Sequence, residues 1–492
     1  MADTASLSLT RGRIGLSWPL LIAVFVFAAT LATEPRALFD PDVLWQNATG
    51  HWILAHGAVP HVDLFTYTMR GEPWVVHEWL ADLAMASAYD ALGWHGVTLL
   101  AALAAAAALG LLTRALLRTL PPLPAMLLAM LAWLMLLPHL LARPHLLAMP
   151  LLVAWIAAVL RARDEDRAPS FAWALLVALW ANIHGSFFFG LGFAGLIAAE
   201  AVLSAPTATE RWRAARRWAA FLAVAALAPL VSPNGIESYL LPLRLLRMSY
   251  ALSSLVEWQS SSFSTFQPLE LWLLVALGAG FAFRLRLPAS RLGILLLLVH
   301  LSLAHRRYGE LLGFTAPLLL APAIGAELRR RLPSAPPGWI AELARPASLR
   351  ALALAGLLMA AGAGLAATRP LSPPRDYMPE AAVRAALAHD PKGPVLNDYN
   401  FGGYLIFAGV PTFVDGRTDL FPDAFLEREN KALNLSDDGL PSLLRDYRIG
   451  WTLMPAGSSA VALLDHLPGW RRLYADDIAV VHVRDEATGN TP

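Results

Sequence analysis

The chain has 492 residues, of which 57% are hydrophobic and only 15% are charged, and its net charge is +1. Soluble globular proteins usually carry about 25% charged residues, so this composition excludes an ordinary soluble enzyme and a disordered protein. The balanced charge also excludes a nucleic-acid binder with a basic face. Cysteine is absent, which excludes disulfides, thiol catalysis and cysteine-based metal sites. Together with a mean hydropathy of +0.51, these values predict a mainly α-helical, polytopic membrane protein.

Apolar segments long enough to cross a membrane recur along the chain. A membrane-spanning helix needs about 20 predominantly apolar residues, with a range of ~17–25. On this criterion we predict about eleven spans, several of them short. They lie at residues 14–33, 96–117, 122–138, 145–160, 170–183, 187–204, 217–232, 268–283, 291–304, 308–325 and 350–367.

The arginines between these spans fall mainly in alternate loops. If the N-terminus is cytoplasmic, most of them lie in cytoplasmic loops, from Arg11 and Arg13 through Arg161 and Arg163 to the run at 329–331. Cytoplasmic loops of membrane proteins are enriched in arginine and lysine. We therefore predict a bacterial inner-membrane protein with a cytoplasmic N-terminus and, after an odd number of spans, a periplasmic C-terminal tail.

The first outer loop, residues 34–93, is rich in both aromatic and ionisable residues. Its stretches 42–56 and 77–91 combine tryptophans and aliphatic side chains with polar ones, which predicts helices that lie in the membrane interface. Ionisable groups near the membrane are costly to bury and usually mark function. We therefore expect loop 34–93 to cover an outward-facing pocket.

Four ionisable residues of this loop are candidate catalytic groups. Asp40 and Asp42 form a carboxylate pair that suits acid–base chemistry or the binding of a metal ion. Alternatively, Asp42 caps the helix that follows it. His77 and Glu78 form a second candidate pair, for which the start of a helix is an equal explanation. Asp63 is explained as well by a turn as by a functional role.

The later outer loops add polar residues on the same predicted side. The candidate substrate-binding residues are Arg143, His184, Asn234, Glu257 and Arg306, with His145 and Arg307 as further candidates for gripping a phosphate. A guanidinium matches phosphate oxygens with two parallel hydrogen bonds. An arginine at this depth also extends its side chain to lipid headgroups, so the two explanations stay open for each arginine.

The composition becomes more polar from about residue 370 onward. We predict a transmembrane domain at 1–370, which includes loop 34–93, and a periplasmic α/β domain at 371–492, here called the tail. Strands are predicted at 394–396, 404–407, 411–414 and 478–483, and helices at 379–389, 423–434 and 439–447. A structural turn network is the favoured explanation for Asp415, Arg417 and Asp419.

Taken together, the outer-loop motifs resemble a bacterial branch of the GT-C superfamily of integral-membrane glycosyltransferases. The resemblance spans most of the chain. It rests on Asp40-Pro41-Asp42 with Trp45, Pro73-Trp74-Val75-Val76-His77-Glu78-Trp79-Leu80, Arg143-Pro144, Asn182-Ile183-His184-Gly185, Pro233-Asn234-Gly235, Glu257-Trp258 and Val414-Asp415-Gly416-Arg417.

This resemblance implies a GT-C-like fold and the transfer of a hexosyl or pentosyl group from a polyprenyl-phosphate donor. The implied acceptor is an envelope glycan, lipid or protein, and the implied base is Asp40 or Asp42. Some members of the superfamily use a divalent cation and others do not, so Mg²⁺ or Mn²⁺ bound by these two residues stays open. Membrane lipid is an expected partner and nucleic acid is not.

Two other functional classes stay open at this point. A transporter or flippase of lipids or polysaccharides would place charged residues or broken helices near the middle of the membrane. The polar residues of this chain lie instead at the predicted outer ends of the spans. A non-catalytic envelope assembly protein would use the tail to bind a partner.

Overall fold

A computed structural model describes residues 15–331 and 338–485 of the protein, so Arg11 and Arg13 lie outside the described residues. The part before the tail consists of helices joined by loops. These helices are α1 (Trp18–Ala32), α2 (Glu34–Ala37), α3 (Asp42–His56), α4 (Trp79–Leu92), α5 (Trp94–Leu116), α6 (Pro122–Leu136), α7 (Pro144–Asp164), α8 (Trp173–Ala181), α9 (Phe187–Leu203), α10 (Ala208–Leu227), α11 (Glu237–Leu245), α12 (Ser249–Ser254), α13 (Pro268–Phe283), α14 (Ala289–Ala304), α15 (Gly309–Arg331), α16 (Gly338–Glu342) and α17 (Leu349–Ala366).

The apolar helices confirm a multi-pass membrane protein. Within the described residues, five helical segments are long and apolar enough to cross a membrane: Trp94–Leu116, Pro122–His139, Pro144–Asp164, Arg306–Arg331 and Leu349–Ala366. Four shorter apolar helices accompany them, namely Trp18–Ala32, Phe187–Leu203, Pro268–Phe283 and Ala289–Ala304. Each of the eleven predicted spans therefore overlaps a helix, since α8 and α10 occupy the two remaining segments.

Helices α8 and α10 differ from the predicted spans in length and position. Helix α8 has nine residues, which at 1.5 Å per residue cover only about 14 Å of the roughly 30 Å hydrocarbon layer. Helix α10 begins at Ala208, well before the predicted start at 217. The reason is a capping box, in which the Thr207 side chain and Glu210 exchange hydrogen bonds with each other's backbone N–H groups.

The two ends of the bundle carry different side chains. At one end, Arg291 donates to Glu200, and Arg163 Nε lies 3.2 Å from Glu200 Oε1. Arg291 also pairs with Asp164, the last residue of α7. Helix α7 crosses the bundle, so Arg143, which precedes its first residue, lies at the opposite end. We call that opposite end the tail-side end, because the tail packs there.

The two helices expected in the first outer loop are present as α3 and α4. They approach closely at a glycine, since a Cβ on Gly50 would lie 2.1 Å from the backbone carbonyl oxygen of Asp82. Leu44 and Trp45 on α3 are buried. The first outer loop is therefore a packed layer over the bundle.

The tail forms a small mixed sheet covered by helices, which confirms the predicted C-terminal α/β fold. Its elements are α18 (Glu380–His389), β1 (Val395–Asn397), α19 (Tyr399–Phe407), α20 (Asp423–Leu433), α21 (Gly439–Asp446), β2 (Trp451–Pro455), α22 (Ser459–Leu464), β3 (Trp470–Ala475) and β4 (Ala479–Arg484). The strand order is β1-β2-β4-β3. Strands β1 and β2 are parallel, and β4 is antiparallel to both β2 and β3.

Some of the predicted tail elements are wrong. Residues 404–407 belong to helix α19, whose N-cap Asp398 accepts the Asn400 backbone N–H at 2.9 Å. The segment 411–414 makes only an isolated bridge, between Thr412 and Thr66. Strands β2 and β3 were not predicted, because β2 is short and ends at a proline, while β3 mixes arginines with apolar residues.

A fully buried ion triad docks the tail onto loop 34–93. Arg417 Nη1 donates to Asp63 Oδ1 at 2.7 Å, while its Nε and Nη2 donate to the two carboxylate oxygens of Asp415 at 2.8 and 2.7 Å. All three side chains are 0% exposed. The guanidinium carbon also lies 4.5 Å from the ring centroid of Trp74. Asp415 and Arg417 therefore have the structural role that the sequence favoured, and Asp63 belongs to the same network.

Apolar contacts reinforce this docking. Trp45 and Trp74 of the first outer loop share one hydrophobic core with Leu396 and Phe413 of the tail. The threonine hydroxyl of Thr68 also donates to the backbone carbonyl oxygen of Phe413 at 2.7 Å. The division at residue 370 stays a prediction, while the tail and the loop pack as one body.

We expect Arg417→Met to destabilise the docked tail by about 3–5 kcal/mol, because it leaves Asp63 and Asp415 buried without a counter-charge. Limited proteolysis and thermal unfolding of the purified protein would measure this loss. Arg384→Met is the matched control, since Arg384 forms an exposed pair with Glu380 that is worth under about 1 kcal/mol. Equal stability of the two variants would contradict the structural role of Arg417.

Candidate functional site

A cluster of partly buried ionisable side chains at the tail-side end is centred on Arg143. Its Nη2 donates to Asp42 Oδ2 at 2.6 Å, and its Nη1 donates to Asp40 Oδ2 at 3.2 Å. The same Nη1 lies 3.4 Å from Glu257 Oε1. One guanidinium thus contacts three carboxylates and brings together four of the residues predicted from sequence.

The turn at Asp40-Pro41-Asp42 directs both carboxylates to the same side. Asp40 Oδ1 accepts the backbone N–H of Asp42 at 2.9 Å. Asp42 is the first residue of α3, and the N-cap position belongs to Pro41. Trp45, nearly one helical turn later, donates its indole N–H to Asp42 Oδ1 at 2.9 Å. The structure therefore uses the Asp42 side chain in the cluster and not as a helix cap.

Burial makes the two aspartates of this pair harder to ionise. It raises the pKa of Asp40 and of Asp42, and the positive charge of Arg143 opposes the shift. The nearby charge of Asp40 adds to the effect and brings the pKa of Asp42 to about 7. Asp42 can therefore exchange a proton near neutral pH.

A second group of polar side chains surrounds Glu78. Glu78 Oε1 lies 3.5 Å from His77 Nε2 and 3.6 Å from His184 Nε2. Gln46 Nε2 donates to the other carboxylate oxygen at 3.4 Å. The Ser186 backbone N–H donates to His184 Nδ1 at 3.1 Å, which leaves Nε2 to face Glu78. Glu78 makes no side-chain cap on α4, so its side chain belongs to this group.

The His77–Glu78 pair is ionised at neutral pH. Burial alone would lower the pKa of His77, but the charge and hydrogen bond of Glu78 outweigh it and raise that pKa to about 9. Burial alone would raise the pKa of Glu78, but the charge and hydrogen bond of His77 lower it to about 2. The result is an imidazolium held against a carboxylate.

Glu257 and Arg307 extend the cluster on its far side. Burial would raise the pKa of Glu257, yet the charges of Arg143 and Arg307 hold it at about 2. The Arg307 guanidinium carbon lies 4.5 Å from the ring centroid of Trp258. Arg306, the predicted ligand, is exposed. Arg307 is therefore the half-buried arginine beside Glu257.

Two asparagines of the outer-loop motifs hold the backbone around His77 and Glu78. Asn234 Nδ2 donates to the carbonyl oxygen of Val76 at 3.0 Å. Asn182 Oδ1 accepts the indole N–H of Trp79 at 2.6 Å. The amide of Asn234 thus supports the segment that carries the histidine–glutamate pair, and its predicted contact with substrate stays a prediction.

Two acidic residues near the cluster were missed by the sequence analysis. Asp82 lies one turn after Glu78 on α4, is fully buried, and has no hydrogen-bond partner for either carboxylate oxygen among the described residues. Burial and the charge of Glu78 raise the pKa of Asp82. Glu310 Oε2, at the start of α15, lies 3.7 Å from His145 Nε2. An acid inside an apolar segment was the available signal for both residues.

All four oxygens of the Asp40–Asp42 pair already accept hydrogen bonds in this arrangement. The oxygens of Asp40 accept from Arg143 and from the Asp42 backbone, and those of Asp42 accept from Arg143 and Trp45. Across 15–331 and 338–485, no group of three or more histidine, aspartate or glutamate side chains is placed to hold a metal ion. Binding of Mg²⁺ or Mn²⁺ by Asp40 and Asp42 stays a prediction.

The chain is similar in fold to solved structures of GT-C membrane proteins. The apo crystal structure of the Archaeoglobus fulgidus oligosaccharyltransferase has this fold, with a TM-score of 0.55 and 10% identity over 89% of this chain and 69% of that one. ArnT from Cupriavidus metallidurans bound to undecaprenyl phosphate gives a TM-score of 0.51 and 15% identity, covering 96% and 98% of the two chains.

The apo state of the same ArnT gives equal values of TM-score, 0.51, and identity, 15%, over 94% and 96% of the chains. Both proteins are GT-C glycosyltransferases. Neither a protein-family model nor a curated protein sequence matches the chain. At these identities the likeness is one of fold, and the GT-C-like membrane fold predicted from the sequence is confirmed.

The raised pKa of Asp42 has a consequence for stability. Between the ordinary carboxyl pKa of 3.8 and about 7, the folded protein keeps a proton that the unfolded chain has released. Stability therefore falls as the pH rises through this window. Asparagine at position 42 cannot titrate. We therefore expect the melting temperature of Asp42→Asn to fall less than that of the unmodified protein between about pH 5 and about pH 7.

Asp446→Asn serves as the control for this measurement, since Asp446 is exposed and pairs with Arg428, whose charge does not change over this pH range. The control should follow the unmodified protein across the same pH range. A decline in melting temperature that is the same for Asp42→Asn and for the unmodified protein would show that Asp42 does not hold a proton in the folded state.

Proposed function

We propose that the protein is a membrane glycosyltransferase whose donor is a sugar linked to polyprenyl phosphate. The observation that carries the proposal is the Asp40–Asp42 pair, fixed by the Arg143 guanidinium at one end of a membrane bundle. The solved ArnT structure of like fold has undecaprenyl phosphate bound, which supports a lipid phosphate as carrier of the sugar. The transfer would take place at the tail-side end.

The base in this transfer is Asp42 or its neighbour Asp40. Its carboxylate takes the proton of the acceptor hydroxyl while the acceptor oxygen forms a bond to the anomeric carbon of the sugar. The bond from that carbon to the phosphate oxygen breaks, and its electron pair leaves on the polyprenyl phosphate with inversion at the carbon. A pKa of about 7 suits a group that accepts a proton at neutral pH.

The leaving phosphate gains negative charge and needs cationic partners. Arg143 already contacts three carboxylates, so its role is to position the base. Arg307, half-buried beside Trp258, and the adjacent Arg306 are the phosphate ligands in this proposal. The His77 imidazolium adds positive charge on the other side of the cluster.

The remaining predicted residues complete the substrate site in this proposal. Glu257 contacts Arg143, and His184 faces Glu78, so both lie where a sugar hydroxyl can hydrogen-bond. Asn234 contributes by holding the backbone at Val76, next to His77 and Glu78. His77 and Glu78 act together as an ionised pair beside the base.

The side of the membrane is also part of the proposal. The arginine-rich loops at the end away from the tail support a cytoplasmic location for that end. The tail and the candidate site then face the periplasm of a bacterial inner membrane, and the acceptor is an envelope glycan, lipid or protein. A donor held in the bilayer reaches this side without a soluble nucleotide sugar crossing the membrane.

We expect Asp40→Asn and Asp42→Asn to reduce transfer by about 10²–10⁴-fold, the usual loss on removing a general base. The assay compares metabolically labelled envelope glycans of a deletion strain that expresses each variant. Asp446→Asn, a change at an exposed surface pair, is the control and should restore the full profile. If both variants restore the profile of the unmodified protein, the enzyme proposal fails.

Arg307→Gln should weaken the binding of undecaprenyl phosphate to the purified protein by about 10–100-fold, because a charge-assisted hydrogen bond contributes about 1.5–3 kcal/mol. Native mass spectrometry with increasing lipid measures the affinity. Arg244→Gln is the matched control, since Arg244 pairs with Glu237 at the surface. Unchanged affinity in Arg307→Gln would remove Arg307 from the phosphate site.

A further inference from the structure

One turn of the tail, residues 415–419, lies directly against the carboxylate pair. A Cβ built on Gly416 would lie 2.1 Å from Asp42 Oδ1 and 2.9 Å from Trp45 Nε1. The backbone of Gly416 is not in the left-handed region, so the requirement for glycine is one of space alone. The turn therefore covers the hydrogen bond between Trp45 and Asp42.

The position of this turn is fixed by Arg417. Its guanidinium joins Asp415 of the same turn to Asp63 of the first outer loop, 354 residues earlier in the chain. All three side chains are inaccessible to solvent. Because breaking such a buried network is costly, Gly416 has little freedom to move away from Asp42.

The other side of the turn is held by Tyr399 on α19. Its hydroxyl lies 2.6 Å from Thr418 Oγ1 and donates to the Gly416 carbonyl oxygen at 3.2 Å. Asp419, at the end of the turn, lies close enough to His77 that its charge contributes to the raised pKa of that histidine. The turn thus lies close to both Asp42 and His77.

We infer that the 415–419 turn of the tail is a positioning element of the active site, which holds the Asp42 carboxylate between the Trp45 indole and the Arg143 guanidinium. The inference rests on the proposed role of Asp42 as base. It assigns the tail a part in the chemistry that is separate from any binding of the acceptor. Gly416 acts through Asp42 and is a positioning residue, not a catalytic one.

The hydrogen bond from Trp45 is the physical link between the turn and the base. An N–H donor stabilises the ionised form of a carboxylate. If a methyl group at position 416 displaces Asp42 Oδ1 from the indole, Asp42 holds its proton more tightly. The pH at which Asp42 titrates then rises by about one to two units, the equivalent of one charge-assisted hydrogen bond.

The test is ¹⁹F nuclear magnetic resonance on full-length protein labelled with 5-fluorotryptophan, with the Trp45 signal assigned by its loss in Trp45→Phe. We expect the Trp45 signal to titrate with Asp42, and Gly416→Ala to shift both the signal and its midpoint. Gly457→Ala is the matched control, because a Cβ at Gly457 meets nothing within 4 Å. Its Trp45 signal should match that of the unmodified protein.

Tyr399→Phe provides a second variant that changes no volume inside the turn. Removing the hydroxyl releases Thr418 and the Gly416 carbonyl, so we expect a smaller shift in the same direction. If Gly416→Ala fails to fold, this variant decides the question. A Trp45 signal and midpoint that are unchanged in Tyr399→Phe, or unchanged in a folded Gly416→Ala, would overturn the inference.

The glycan assay separates this inference from the proposed function. Loss of transfer in Asp42→Asn with an unchanged Trp45 signal in Gly416→Ala overturns the positioning role and leaves the function standing. Normal transfer in both Asp40→Asn and Asp42→Asn would refute the proposed function. The turn would then have no role in catalysis. Loss of transfer in Asp42→Asn and in Gly416→Ala, with a shifted signal, supports both.

Discussion

Carboxylates partly shielded from water at the end of a membrane bundle need a positive charge beside them, and Arg143 supplies it to Asp40, Asp42 and Glu257 together. The rest of the site follows from this constraint. The turn before α3 must present two carboxylates to one guanidinium, and Glu257 must approach from a loop more than 100 residues later. Burial raises the pKa of Asp42 to about 7, because one guanidinium only partly compensates for the loss of water around the carboxylates.

Two arginines with similar partners have different roles, and solvent access separates them. Arg143 and the aspartates it holds keep 23% and 13% of their side-chain surfaces exposed, so a ligand can reach them. Arg417, Asp415 and Asp63 are 0% exposed, so their network can only hold structure. Both are acid–arginine clusters joining distant parts of the chain, and only the first can act on a substrate.

The helical bundle and the main acidic residues could be predicted from the sequence. Spans can be predicted because backbone polar groups in lipid must be satisfied within helices, and Asp40, Asp42 and Glu78 stood out because charge near a membrane is costly. The partner of Arg143 was not predictable, since phosphate and carboxylate satisfy a guanidinium equally well. The helix at 404–407 was not predictable either, because it depends on Gly402 packing against the backbone of Val414.

The buried link between Asp63 and Arg417 also imposes an order on assembly. The two residues are 354 positions apart, and chains grow from the N-terminus at about 5–20 residues per second. For roughly 20–70 seconds after the carboxylate pair is synthesised, the turn that covers it does not yet exist. The turn therefore reaches the carboxylate pair only when the last quarter of the chain has been made and folded.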